Sequence, residues 1–311
     1  MWRMASMLPH SASPTTRALR RNLIDLLLLA SLWGGSFLFM RIAVPQFGPL
    51  PLMAVRCAIG AAILLPFLAW RGGLPGLAAR PGALLVVGFL NSALPFVLFG
   101  YATLSLTAGM ASVLNATTPL FAAVVAYFWL GDRPDRRRVI GLAIGFGGVL
   151  WLVSARGSVA SSGGLLPVLA ALGASVSYGV SASFTRRHLT GVSSLVLAAG
   201  SQLGAILVLL VPALLTWPST PPDASAWLAA LALGAACTGL AYMLFFRLMN
   251  RAGVATATSV TFLVPMFAVL WGGLFLGEQP SLAMLLGGVV ILAGTALASG
   301  VQWPRRAARE A

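Results

Sequence analysis

Apolar runs of about 20 residues recur along the chain, separated by short stretches of Gly, Pro and Arg. A run of that length crosses about 30 Å of hydrocarbon as a helix. The pattern predicts helices over 22–43, 50–70, 82–102, 106–130 and 138–154, then over 163–184, 192–216, 225–246, 253–276 and 281–300. The connections, such as 71–81 (RGGLPGLAARP) and 131–138 (GDRPDRRR), leave no room for a soluble domain. The first run follows Arg17, Arg20 and Arg21 and lacks a clear small-x-small cleavage site, which favours an uncleaved first helix over a secretory signal.

The pattern also repeats. Shifted by 146 positions, the second half lies on the first from about 88 to 148: Gly88 on Gly234, Phe99 on Phe245, Pro119 on Pro265, and Leu130-Gly131-Asp132 on Leu276-Gly277-Glu278. A shift of 145 aligns the opening helices, Trp33 with Tyr178, Gly34 with Gly179 and Arg41 with Arg186. The repeats run over 22–154 and 163–300, flanked by a polar tail at 1–21 and a basic tail at 301–311. Each repeat holds five spans, an odd number, so the second copy enters the membrane from the opposite side. The expected fold is therefore an all-α membrane protein of about ten transmembrane helices in two inverted five-helix repeats, an architecture of transporters.

Composition agrees with this reading: 59% of the 311 residues are hydrophobic, 8% are charged, and the mean hydropathy is +0.93. A soluble domain carries about 25% charged residues. The net charge of +14 does not signal nucleic acid, because every basic residue is Arg and they cluster between apolar runs with no basic stripe. With the N-terminus inside, 17 of the 20 arginines fall on the inner side, a strong positive-inside bias that places both termini in the cytoplasm. Only Arg156 falls outside, while Arg41 and Arg56 lie within helices near their outer ends. Cys57 and Cys237 sit in apolar runs, and His10 and His188 are far apart, so no disulfide framework, metal site or cofactor is expected.

Several segments together carry a family resemblance: LASLWGGSFLFMR at 29–41, VRCAIGA at 55–61, ATTPLFAAVVAYFWLGDRP at 116–134 and TFLVPMFAVLWGGLFLGEQP at 261–280, with Gly-rich closing helices at 141–150 and 287–296. In order, spacing and duplication the chain resembles the EamA-domain branch of the drug/metabolite transporter superfamily over about 22–300. The resemblance implies a ten-helix carrier in the inner membrane, often an exporter of amino acids or other small metabolites, with a cavity lined by helices 1, 3, 4, 6, 8 and 9.

Candidate site residues are those out of place in a plain apolar helix. Asn91 and Asn115 are amides that either bond between helices or read a substrate carboxylate or amine. Trp33, Tyr178 and Tyr242 lie deeper than the interfacial belt and either pack in the core or wall a cavity. Thr238 and Thr261 are weaker substrate-binding candidates, since a hydroxyl can bond its own helix. Pro119 and Pro265 fall within helices 4 and 9 at matched positions, as packing kinks or a shared hinge. Asp25 reads as a solvated acid at the start of helix 1, where negative charge suits the helix dipole, or as a proton-coupling carboxylate. Arg41 and Arg56 read as side chains reaching the headgroups, or as an outer gate or a lure for anions. Trp271 reads as an interfacial anchor. Gly141-x-x-x-Gly145 and Gly200-x-x-x-Gly204 fit close packing within the bundle or a homodimer.

The leading function is a secondary transporter of small metabolites whose partners are the bilayer and a small solute, with no nucleic acid. A membrane-embedded enzyme acting on a lipid-linked substrate lacks paired acids at membrane depth, and a channel-like facilitator lacks a visible filter.

Overall fold

The computed structural model describes residues 16–154 and 164–299. Most of the N-terminal tail, the whole basic C-terminal tail and Arg156 lie outside the described residues. The described chain folds into ten long helices: α1 (Thr16–Phe47), α2 (Pro49–Trp70), α3 (Pro81–Ala102), α4 (Ala108–Leu130), α5 (Arg136–Ser154), α6 (Leu165–His188), α7 (Ser194–Leu215), α8 (Ala224–Ala252), α9 (Val254–Leu276) and α10 (Leu282–Ala298). Among the described residues nine of these are long and apolar enough to cross a membrane, and α10, with 17 residues, is a shorter apolar helix. A short helix, Leu74–Ala79, fills the loop between α2 and α3.

Local chemistry sets the helix ends. Thr107, Ser193, Asp223 and Ser281 each accept a hydrogen bond from the backbone N–H three residues on, capping α4, α7, α8 and α10. Gly131 and Gly277 close α4 and α9 in the left-handed conformation, with φ of 72° and 66°, which favours glycine. This accounts for the duplicated Leu-Gly-acid triplet. α1 is longer at both ends than its apolar run predicts, and α6 extends to include Arg186, Arg187 and His188, cations suited to a helix C-terminus.

The Asp223 carboxylate accepts from the Ala226 N–H at 2.9 Å and the Ser225 hydroxyl at 2.7 Å, bonds that hold its pKa down from 3.8 to about 2. A depressed carboxylate stabilises the fold fully above its unfolded pKa and loses that effect as pH falls through the folded one. Asp223→Ala is therefore expected to lower the melting temperature near neutral pH, with the gap from the unaltered protein narrowing as pH falls from about 4 toward 2.

Close approaches between helices follow a two-fold rule that exchanges the halves. A Cβ on Gly34 of α1 would sit 2.7 Å from Phe267 Cβ and 2.9 Å from the Ala268 nitrogen of α9. At the matched position, a Cβ on Gly179 of α6 would sit 2.8 Å from the Ala122 nitrogen of α4. Gly88 of α3 rests on Gly204 of α7, as Gly234 of α8 rests on Ile59 of α2. α5 and α10 pack on each other through Gly141, Gly145, Gly148 and Gly294. Both small-residue motifs thus make contacts within this bundle.

Two departures interrupt the helices. α3 contains a π-helical turn at Phe89–Ala93 and α8 one at Ala235–Leu240, beginning at matched positions. A π turn inserts one extra residue and frees a carbonyl. The Ser177 hydroxyl of α6 donates to the Leu90 carbonyl at 2.7 Å, and the Thr238 hydroxyl donates to the Leu233 carbonyl at 3.0 Å. α4 is broken at Ala116-Thr117, so Pro119 falls in the first turn of a new helical segment, where its missing N–H costs nothing. α9 instead breaks at Ser259 and runs on through Pro265.

Candidate functional site

Ion pairs sort the helix ends into two faces. On one, the end of α1 meets the end of α9: Arg41 Nε lies 3.1 Å from Glu278 Oε1, and Arg41 Nη1 donates to the Thr103 carbonyl at 3.0 Å. Glu278 also accepts from the Ala108 N–H at 2.9 Å, so one carboxylate ties the ends of α1 and α9 to the start of α4. On the other face, Arg186 at the end of α6 binds Asp132 at the end of α4. These are the same two positions in the two repeats. They differ in depth: the Glu278 side chain is 10% exposed, that of Asp132 36%. Asp132, one methylene shorter, makes no bond to the start of α9 among the described residues.

The second face carries most of the described arginines. There Asp25 is only 5% exposed, and it binds Arg247 (Nε to Oδ2, 2.9 Å) and, at 3.5 Å, Arg251, both at the end of α8. The expected solvated acid is thus a covered one. α8 runs one and a half turns beyond its predicted end and brings both arginines over it. An open cavity of about 450 Å³ adjoins, lined by Asn22, Leu26, Arg251 and Thr256 among others. Arg41 does not reach for headgroups either, being held by Glu278. Trp271 donates to the Ser31 carbonyl at 3.2 Å and is no free interfacial anchor.

Between the faces, three of the sequence candidates, Trp33, Asn91 and Tyr242, meet where the π turns lie, and a fourth, Tyr178, stands on α6. Asn91, within the α3 turn, approaches the Tyr242 hydroxyl of α8 at 3.5 Å. Trp33 of α1 meets the Tyr242 ring edge-on, with centroids 6.4 Å apart, and packs on Phe245 at 5.5 Å. Tyr178 of α6 stacks on Phe99 at 6.3 Å. All four are half-buried. Thr238 is fully buried. Its hydroxyl donates to Leu233 and accepts from Arg56, so it positions Arg56. Asn115 ends the first segment of α4, and its side chain makes no hydrogen bond among the described residues.

Arg56 does not reach for the headgroups, the first of the two readings its sequence position offered. It is 6% exposed, its Nε donates to Thr238 Oγ1 at 3.0 Å, and its guanidinium lies 3.6 Å from the centroid of the Phe96 ring. It turns inward because α8 and α3 offer it an acceptor and an aromatic face. The available signal was an arginine a third of the way into an apolar run with no acid beside it.

A family model described as the EamA-like transporter family matches residues 22–154 and again 165–300. The chain is similar to an uncharacterized transporter, YdfC, of Bacillus subtilis, 27% identical over 86% of this chain and 87% of that one. It is similar to a protein of Streptantibioticus cattleyicolor named "Probable terminal-alkyne amino-acid exporter", 27% identical over 88% of this chain and 91% of that one. It is also similar to the uncharacterized inner membrane transporter YedA of Escherichia coli K12, 28% identical over 84% and 85%. A solved crystal structure superposes with a TM-score of 0.61 at 23% identity, covering 90% of this chain and 96% of its own, a likeness of fold.

Proposed function

From its membership of the EamA-like transporter family, to which this chain belongs, we propose that it is a secondary carrier exporting amino acids or related small metabolites across the cytoplasmic membrane by alternating access. The observation that carries this reading is the duplication of contacts on opposite faces, Arg41 on Glu278 and Arg186 on Asp132. Two halves with equivalent contacts can exchange conformations, so that the face closed in one state opens in the other. At the Arg41 face one carboxylate, Glu278, ties three helices, while on the arginine-rich face Asp132 joins α4 to α6 and Asp25 joins α1 to α8. By the positive-inside rule the arginine-rich face is cytoplasmic, as are both termini. The name of the Streptantibioticus relative supports amino acids and the outward direction.

Pro119 and Pro265 serve as hinge points in this reading, the first beside a helix break and the second within a continuous helix. Against an enzymatic role, Asp25, Asp132 and Glu278 are bound to arginines, while Asp135 and Asp223 accept from backbone N–H groups. Among the described residues no free carboxylate pair is left for acid–base chemistry. A homodimer would join two complete carriers through lipid-facing surfaces, since the glycine motifs are used inside one copy.

The test is uptake of a mixed metabolite pool rich in amino acids into proteoliposomes, read by mass spectrometry with and without a pH gradient. Saturable uptake of one class is expected. Trp33→Ala and Asn91→Ala should each change KM or the selectivity ratio by about tenfold, the effect of roughly 1.4 kcal/mol of lost contact. Unchanged kinetics in both variants would remove these residues from the site, and conductance too fast for a carrier would favour a channel.

A further inference from the structure

We infer that Arg56 is a carboxylate-binding residue, so that the solutes this carrier takes bear a carboxylate group beside an apolar body. The inference rests on the carrier reading above and names its substrate class.

The two-fold relation isolates the charge. Arg56 of α2 donates to Thr238 of α8 at 3.0 Å, and Gln202 of α7 donates through Nε2 to Ser92 of α3 at 3.1 Å. Thr238 and Ser92 are 146 positions apart, and so are Gln202 and Arg56. The internal prolines of α2 and α7, Pro66 and Pro212, have the same separation. One bundle position therefore makes one hydrogen bond to a hydroxyl in the equivalent π turn, with a neutral amide in one half and a guanidinium in the other. The helix contact needs a donor and no charge.

A buried charge without a counterion is costly. Among the described residues Arg56 forms no salt bridge, and each described acid is engaged elsewhere. A guanidinium carries five N–H donors. One is bonded to Thr238, and the other four find no partner among the described residues. Phe96 holds the guanidinium carbon over its ring at 3.6 Å from the centroid, and the unpaired fork is the part of an Arg side chain that grips a carboxylate through two parallel bonds. One helical turn along α8 from Thr238 lie groups suited to the rest of such a solute: the Tyr242 hydroxyl and the Asn91 amide as polar contacts, Trp33 and Phe245 as an apolar wall. The buried carbonyl oxygen of Gln202, which has no hydrogen-bond partner, adds an acceptor close to Thr238.

The test uses the full chain in detergent and in proteoliposomes. The probes are amino acids and simple alkyl and aryl carboxylates, each beside its carboxamide. Arg56→Gln copies the residue that fills the equivalent place in the second half and keeps the donor; Arg56→Lys keeps the charge. Carboxylates, and not carboxamides, are expected to raise the melting temperature of the unaltered protein. In uptake the unaltered protein should prefer the acid over its amide by at least about tenfold, Arg56→Lys should keep part of that preference, and Arg56→Gln should abolish it. A response to amino acids alone would place the ammonium group in the recognition as well. A response to both sets would assign the carboxylate alone. A preference that survives in Arg56→Gln, or uptake by the unaltered protein with no preference for acids, would overturn the inference and leave the carrier standing. Absence of any uptake, with no melting shift from any carboxylate, would remove both.

Discussion

Gly294→Leu is expected to abolish the folded protein, with no monodisperse species recovered in detergent, while Gly147→Ala in the facing helix α5 leaves yield and melting temperature unchanged. Even a methyl group on Gly294 would lie 2.5 Å from Gly145 Cα and 2.7 Å from the Gly141 carbonyl oxygen. Both are backbone atoms and cannot swing aside as a side chain would. A Cβ on Gly147 meets nothing within 4 Å. Overfilling a packed interior costs about 1–3 kcal/mol and more where the neighbour cannot yield. Here the whole α5–α10 seam would have to separate. Lipid offers no hydrophobic drive to close it again, because helix association in a bilayer depends on this kind of close fit. Gly294→Ala should fall between the two, folded but with a clearly lowered melting temperature. Normal recovery of Gly294→Leu would mean that α5 and α10 are not in backbone contact.

Glu278→Ala is expected to lower the transport rate by at least tenfold without loss of folded protein. The substitution strips Arg41 of its carboxylate and the Ala108 N–H of its acceptor. Removing one member of a buried pair costs about 3–5 kcal/mol, and the 29% exposure of Arg41 brings this toward about 2–3. All of it falls on the state in which the Arg41 face is closed, which shifts the balance of states by roughly 30- to 150-fold. Asp132→Ala should do much less, under about fivefold, because exposed pairs contribute about 0–1 kcal/mol. Accessibility of a single reporter cysteine near Thr103 to a membrane-impermeant thiol reagent should rise in Glu278→Ala. An equal effect of the two substitutions would contradict the difference in depth between the two pairs.

The helices were legible because lipid tolerates only continuous apolar runs, and the run lengths survive any error in packing. The duplication was legible because glycines at close approaches and left-handed caps are hard to replace: Gly34 and Gly179, Gly131 and Gly277. The π turns were not, since one added residue leaves hydropathy unchanged and shifts only the register. The partnership of Arg56 with Gln202 was hidden by a separate change, from an offset of 145 to one of 146 between Arg41 and Arg56; the smaller offset, which fits the first helices, sets Arg56 against Ser201. Trp33, Asn91, Tyr178 and Tyr242 could be picked out by depth and polarity alone. The neighbours of Asp25 and Arg41 could not, because both partners come from the far half of the chain and a hydropathy profile records no contact between halves.

The π turns in α3 and α8 begin at the same point of each five-helix unit, so each half carries its own copy of the same interruption. Neither half could close this bundle alone, since α1 packs on α9, α4 on α6 and α5 on α10. Each half is the other's packing partner, and the core belongs to the pair.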